Sequence, residues 1–499
     1  MDNIRSELHP TPEPNPTVVP VLTKQEISAR QMDLNDLEVL DSFDLSKKDQ
    51  TRGLISAFLF TLIAIFIFFV PITINGQTDV TFGAIYNFMM KITGNFGLWF
   101  ITLIIIGTGI LSIYGKYIAK SGPIHDYFSG DSIVHPILYL VGGVFTLLYS
   151  LHATTSFVGP EMVVGSTTGG TIIPAIVVAV FWIIVVGSLS MPFLLNYGVI
   201  DFIGSLMEPL MRPVWKVPGR AAVNAIASFV SSSSVGVLIT NKLYRRGVYT
   251  EKEAVLVVTG FSAVSIGFAY MVIKTAGLQD HFIAVYFSSL LLTLIVSAFV
   301  ARLWPFSKKR NVYIDGRVQT AADIRSMKKP RKGLFQTAID RAAKKGLTAP
   351  PLGREILMGL RDGFEVIPKV LSLLAMIGTS ALIIAEYTPV FDWLGMIFVP
   401  LLQLLRVPDA MAIAPSFPVG LAEMFLPVLL IADKVELIDI GARYVVVAVS
   451  IVQIIFFAET VVVMMATKMP LKLWELIVVF FERTFLAIIF ASLLMRLLF

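Results

Sequence analysis

Nine runs of about 20 mostly apolar residues follow one another along this chain, each long enough to cross the hydrocarbon core of a bilayer as a helix. They are Gly53 to Ile74, Leu98 to Ile118, Ile133 to Leu151, Ile172 to Leu195, Ala254 to Thr275, Phe282 to Leu303, Gly363 to Ala385, Tyr444 to Ala466 and Leu473 to Leu498. With 56% hydrophobic and 15% charged residues over 499 positions, too little polar side chain remains to cover a soluble globule. The expected fold class is an all-α polytopic membrane protein with about nine spanning helices.

A pattern occurs twice within these runs. Ile173-Pro174, Asp201, Gly204, Pro209, Pro218 and Ser228-Phe229 recur in order as Ile367-Pro368, Asp392, Gly395, Pro400, Pro408 and Ser416-Phe417. No single match is specific, but six in register indicate a duplicated unit. Each copy is also interrupted at the corresponding place, by Ser231, Ser232, Ser233 and Ser234 in one and by Phe417-Pro418-Val419-Gly420, then Glu423, in the other. Paired interruptions in duplicated membrane sequence point to a solute site between the halves.

Charge sets the expected topology. Lys47, Lys48 and Arg52 place the N-terminus inside, Lys116 and Lys120 return the chain there, and Ala153 to Thr171 has no Lys or Arg and falls outside. Ala221 to Thr240 looks long enough to cross, yet Arg212, Lys216 and Arg220 precede it and Lys242, Arg245, Arg246 and Lys252 follow it. Every basic cluster stays inside only if this segment enters, breaks at the serines and returns as a re-entrant hairpin, which needs protein or a water-filled cavity to satisfy its broken backbone. The second copy starts from the basic side, so it runs in the opposite sense, and Asp409 to Ala432 becomes a hairpin entering from outside. The expected organisation is a disordered cytoplasmic tail over 1–52, N-terminal spans over 53–171, a first repeat over 172–304, a basic cytoplasmic loop over 305–355 and a second repeat over 356–499. That loop concentrates the basic charge, with 13 Lys and Arg against 3 Asp between Pro305 and Arg354. Nothing in it resembles a nucleic-acid recognition fold.

The arrangement resembles the nucleoside-recognition or GATE-domain membrane proteins, most closely the YjiH-like family. The resemblance is carried by Val199 to Lys274, with Ala221 to Thr240 inside it, and by the second copy from Val366 to Thr467. GATE domains also occur in concentrative nucleoside carriers, ferrous-iron permeases and spore-maturation membrane proteins. The resemblance thus implies two inverted GATE-like repeats, each with a re-entrant hairpin, around a gated solute pathway.

The candidate substrate- or ion-binding residues are Asn224, Ser231, Ser232, Ser233, Ser234, Glu423, Glu459 and Thr460. The four serines put hydroxyls and free backbone groups at a helix break, where they bind a small cation or polar solute, or simply allow close helix packing. Asn224 offers a bidentate amide. Glu459 stands among apolar neighbours, where an ionisable group is costly unless it faces a cavity or a partner such as Lys369 or Lys274. Glu423 follows the second break, and Thr460 is a cavity-lining candidate. Glu482 and Arg483 read as an adjacent pair near the cytoplasmic interface.

Several function classes lack their signatures. The chain has no Cys, so no disulfide or thiolate site, and no P-loop, zinc-protease motif or serine-hydrolase elbow. No cleavable signal peptide precedes residue 53. The expected function is secondary transport of a small polar solute, a nucleoside or another small organic metabolite such as an amino acid, coupled to Na+ or H+ in a bacterial inner membrane, without a cofactor or enzyme activity. A passive channel or metal-ion permease and a non-transporting assembly or signalling subunit are the alternatives. The expected partners are the solute, membrane lipids and, as an open alternative, a second copy of the chain.

The topology has a direct check in this Cys-free background. Single cysteines at Arg245 and Lys328 should both react with an impermeant reagent only from the cytoplasmic side. Labelling of position 245 from outside would exclude the first hairpin.

Overall fold

The computed structural model describes residues 20–29, 37–74, 77–129, 131, 133–230, 233–262, 266–320, 333–432, 434–467 and 469–499. The first part comprises α1 (Lys47–Phe69), α2 (Thr81–Ile113), α3 (His135–Thr154), α4 (Val178–Leu195), α5 (Val199–Trp215), α6 (Ala221–Val230), α7 (Ser233–Arg245), α8 (Glu251–Gly260), α9 (Ile266–Thr275) and α10 (Phe282–Val300). The second comprises α11 (Leu334–Thr348), α12 (Leu352–Tyr387), α13 (Leu426–Ala432), α14 (Ile440–Gln453), α15 (Val462–Ala466) and α16 (Leu473–Leu498). Short helices at Val390–Gly395, Val399–Leu404, Ala410–Ile413 and Ser416–Val419 lie between α12 and α13.

Seven helices among the described residues are long and apolar enough to cross a membrane: α1, α2, α3, α4, α10, α12 and α16, some lengthened by flanking turns. Two of the nine expected spans are not continuous. Ala254 to Thr275 is divided between α8 and α9, and Tyr444 to Ala466 is divided between α14 and α15. Hydropathy averages over such interruptions, because the residues at the second one, Ile454-Ile455-Phe456, are as apolar as the helices around them. At 36 residues, α12 is roughly 54 Å long, so it extends well beyond a hydrocarbon core of about 30 Å.

The element order recurs. A long helix (α4 or α12) leads through α5, or through the short helices at Val390–Gly395 and Val399–Leu404, to a hairpin, then an interrupted helix (α8 and α9, or α14 and α15), then a final long helix (α10 or α16). Close helix approach depends on glycine, as small residues allow in membranes. A Cβ on Gly142 of α3 would lie 2.2 Å from the Ser372 carbonyl oxygen of α12, and one on Gly363 of α12 would lie 2.3 Å from Ser188 Oγ of α4.

Several charged side chains inside the fold are paired, which offsets the cost of their burial. Arg212 of α5 bonds Glu208 at 2.9 Å and also Glu253, while Arg220 bonds Asp201. The polar side of α5 is therefore turned into the protein. Lys369 donates to Asp131 Oδ1 at 2.9 Å and to the Tyr127 carbonyl at 2.7 Å, and Tyr139 donates to Asp131 Oδ2 at 3.0 Å. This commits Lys369 to Asp131.

The described residues of the expected tail fold against α11, within the expected basic loop. Val21–Leu22 pairs in parallel with Asp44–Leu45, and Leu22, Ile27 and Phe43 form a small buried cluster. Asp41 takes both Nε (2.9 Å) and Nη2 (2.5 Å) of Arg341, Lys344 donates to the Leu40 carbonyl at 2.8 Å, and Gln50 donates to Asp340 at 2.8 Å. Arg341 also reaches Ser205 of α5 at 3.0 Å. The tail reads as mobile from its prolines and charge; residues 1–19 and 30–36 of it lie outside the described residues, while Asp41 and Phe43 find partners in Arg341 and Lys344 of α11.

Glycine-mediated packing sets a stability test. Gly142→Ala should destabilise the protein by about 1–3 kcal/mol, because a backbone carbonyl cannot move aside as a side chain can. Gly107→Ala, where a Cβ meets nothing within 4 Å, should be neutral. Thermal unfolding of both variants in detergent checks the contrast.

Candidate functional site

Two hairpins and one interrupted helix build the site. In the first hairpin α6 and α7 fold back on each other. Asn224 Nδ2 donates to Thr240 Oγ1 across the limbs at 2.9 Å, and Gly236 leaves room for Ser228, whose Oγ a Cβ would approach to 1.9 Å. The connection at Ser231 and Ser232 lies outside the described residues. Ser233 and Ser234 then open α7.

These two residues meet Glu459. Its Oε1 accepts from Ser233 Oγ at 2.9 Å, from the Ser234 backbone N–H at 3.1 Å and from Ser234 Oγ. Three donors on one carboxylate oxygen, at the start of a 13-residue helix whose dipole favours negative charge, form a strong anion cradle. The contact joins residues 225 and more positions apart, one from each half of the chain.

Glu459 sits in a π-helical turn, Phe457–Val461, just after the break in the second interrupted helix. Ile454 there has φ of 61°, an outlier for a β-branched residue. The exposed backbone is satisfied from two directions. Thr460 Oγ1 accepts from the Phe456 N–H at 3.0 Å and donates to the Ile454 carbonyl at 2.8 Å. Arg483, fully buried on α16, donates to the Val452 carbonyl at 2.7 and 3.0 Å and to the Gln453 carbonyl at 3.2 Å.

The second hairpin is fastened to the same break. Phe457 N–H donates to the Leu421 carbonyl at 2.7 Å, Gln453 Nε2 to the Phe417 carbonyl at 2.7 Å and Ser450 Oγ to the Met424 carbonyl at 2.6 Å. Gly420 permits this approach, since a Cβ would lie 1.9 Å from Gln453 Oε1. Glu423 caps α13, its Oε2 accepting from Phe425 N–H at 2.5 Å and Leu426 N–H at 3.2 Å. It also lies within electrostatic range of Glu459.

The structure thus brings Ser233, Ser234 and Glu459 into contact, with Glu423 nearby. Thr460 is at the break but its hydroxyl is engaged by backbone. Asn224 lies roughly two turns from the tip and ties the limbs together. Four polar atoms of these elements are buried without a hydrogen-bonding partner: Asn224 Oδ1, Ser228 Oγ, Ser416 Oγ and Gln453 Oε1. Ser228 and Ser416 occupy matching places in the repeated pattern. Arg483, read from the sequence as half of an adjacent pair with Glu482, is fully buried and spends its guanidinium on backbone carbonyls, a role that the sequence does not reveal. Among the described residues, no group of three or more His, Asp or Glu side chains is arranged to hold a metal ion.

The Ser234 and Glu459 contact predicts coupling. Ser234→Ala and Glu459→Gln should each lower stability, and the double variant should lose about 1–2 kcal/mol less than the sum. A double-mutant cycle by denaturant unfolding in micelles measures it, and additivity would mean that the two side chains act independently.

Comparison with known proteins places this architecture. A family model described as Gate, nucleoside recognition, matches residues 177–279, from α4 through the first hairpin to the end of the first interrupted helix. Protein BpOF4_10220 of Alkalihalophilus pseudofirmus, described as uncharacterized, is 32% identical over 465 residues, covering 92% of this chain and 97% of that protein. The sporulation integral membrane protein YlbJ of Bacillus subtilis is 29% identical over 105 residues, 18% of this chain and 26% of YlbJ. A solved outward-facing structure of a CNTnw variant aligns with 89% of this chain and all of its own at 14% identity, with a TM-score of 0.39, a remote likeness. The near full-length match and the Gate match together show that this chain belongs to the nucleoside-recognition (Gate) group of integral membrane proteins.

Proposed function

We propose that this protein is a secondary active transporter that carries a small polar solute, a nucleoside or another small organic metabolite such as an amino acid, coupled to Na+ or H+. The observation that carries the reading is the junction on Glu459, where a hairpin tip from one half of the chain closes on an ionisable side chain at a broken helix of the other. Broken helices with polar tips meeting between repeats are how transporters place a site at the bilayer midplane. In this reading the repeats are inverted and both hairpins are re-entrant.

Charge on Glu459 supplies the coupling. The carboxylate holds the tip through three donors, and protonation or displacement by a cation weakens that hold and frees the tip to move. Glu423, close by and capping the other hairpin, gives the second tip the same sensitivity. The four buried polar atoms without partners suit a pathway that binds a polar solute, since such atoms in a native fold call for a ligand, an ion or water. The membrane is the cytoplasmic membrane of a bacterium, with the N-terminus inside, in keeping with the bacterial sources of both relatives.

A thermal-shift screen of the purified protein against nucleosides and amino acids, with and without Na+, should identify the solute as a compound that raises the unfolding temperature. Glu459→Gln, reconstituted in vesicles, should then fail to accumulate that solute against a gradient while still exchanging it across the membrane. Intact accumulation in a well-folded variant would exclude Glu459 as the coupling residue. Uptake by the native protein that never exceeds equilibration would favour a passive channel.

A further inference from the structure

A cavity of about 270 Å³ lies between α4, α7 and α12, at the end of α7 away from the serine tip. Asn241 and Lys242 in its wall are roughly 13 Å along α7 from Ser233, so it is separate from the Glu459 junction. The three helices are clamped beside it. Arg246 donates to Asn196 at 2.6 Å and to Glu355 at 3.3 Å, and Asn196 donates to Glu355 at 2.5 Å. Gly359 and Gly363 of α12 line it and let that helix close on Ser188 of α4.

The polar lining is unsatisfied in a specific way. Asn241 is 7% exposed and its Oδ1 accepts no hydrogen bond. Lys242 makes no ion pair among the described residues: Arg246 takes Glu355, and Asp362 and Glu355 act on its charge only at longer range. Burial and then the neighbouring Arg246 hold its ammonium below the usual lysine pKa, against the weaker pull of Asp362 and Glu355. Arg245 and Asp362 stand exposed at the cavity's edge. The last turn of a helix attracts basic residues for its dipole alone, but that accounts for neither the orphan amide oxygen nor the space beside it.

We infer that this cavity is a second small-molecule site, and that it takes a zwitterionic α-amino carboxylate. The carboxylate pairs with Lys242 and Arg245, and the ammonium donates to Asn241 Oδ1 and faces Asp362. The volume falls at or below the small end of ligand pockets, which suits a compact metabolite and excludes a bulky one. This inference does not rest on transport.

Isothermal titration of the purified full chain with L-serine, lactate, ethanolamine and inorganic phosphate tests it. L-serine should bind saturably and at least tenfold more tightly than the other three. Lys242→Gln and Asn241→Leu should each weaken serine binding tenfold or more. Asp362→Asn, at an exposed position that folding tolerates, should weaken serine but not lactate. Binding should persist in Glu459→Gln. The site is overturned if serine does not bind, or if its affinity falls in Glu459→Gln and not in Lys242→Gln. Phosphate or lactate binding as tightly as serine would overturn the zwitterion and leave a plain anion site.

Discussion

Helix backbone that comes apart inside an apolar interior must find new hydrogen-bonding partners, because an unsatisfied peptide group there costs several kcal/mol. In this protein the burden falls on Arg483. Its guanidinium holds the carbonyls of Val452 and Gln453 where α14 stops, while Thr460 closes the next turn. With the break held open in this way, Phe457 N–H is free to bond the second hairpin and Glu459 is presented to the first. A continuous helix would retain those backbone groups for itself and would place the carboxylate elsewhere.

The same requirement explains why so much of the polar chemistry is spent on architecture. Gln453 splits its amide between the Phe417 carbonyl and Thr484, Ser450 holds Met424, and Glu423 caps α13. Each fixes a piece of irregular backbone. What remains is a small set of groups, the serine tip and Glu459 above all, in which side chains from the two halves face one another rather than their own elements.

The legibility of these features in the sequence follows from the range of the interactions behind them. The long apolar runs and the six-part repeat are local signals, as are the four serines and the isolated Glu459. The meeting of Ser233 and Ser234 with Glu459 is not local, and neither is the pairing of Lys369 with Asp131. The break at Ile454 is hidden for a different reason: the residues that form it are all apolar, so the hydropathy of the segment is unbroken. Arg483 reads as half of a pair with its neighbour Glu482, but on a helix adjacent residues point about 100° apart and do not face each other. The folding of residues 20–29 and 37–46 is likewise invisible beforehand, since it depends on α11, some 300 positions later in the chain.

That last feature alters what the middle of the chain is mechanically. The segment linking the two halves has the composition of a slack tether, yet α11 is clamped on one side to the tail through Asp41 and on another to α5 through Ser205. Gly53 and Gly346 bring α1 and α11 into backbone contact as well, with a Cβ on either falling 2.0 to 2.3 Å from a carbonyl oxygen of the other helix. Within the linker, α11 is therefore a strut. Displacement of α5 relative to α1 must either carry α11 with it or shear it off, so a fluorophore on the exposed Phe335 side of α11 would report that movement.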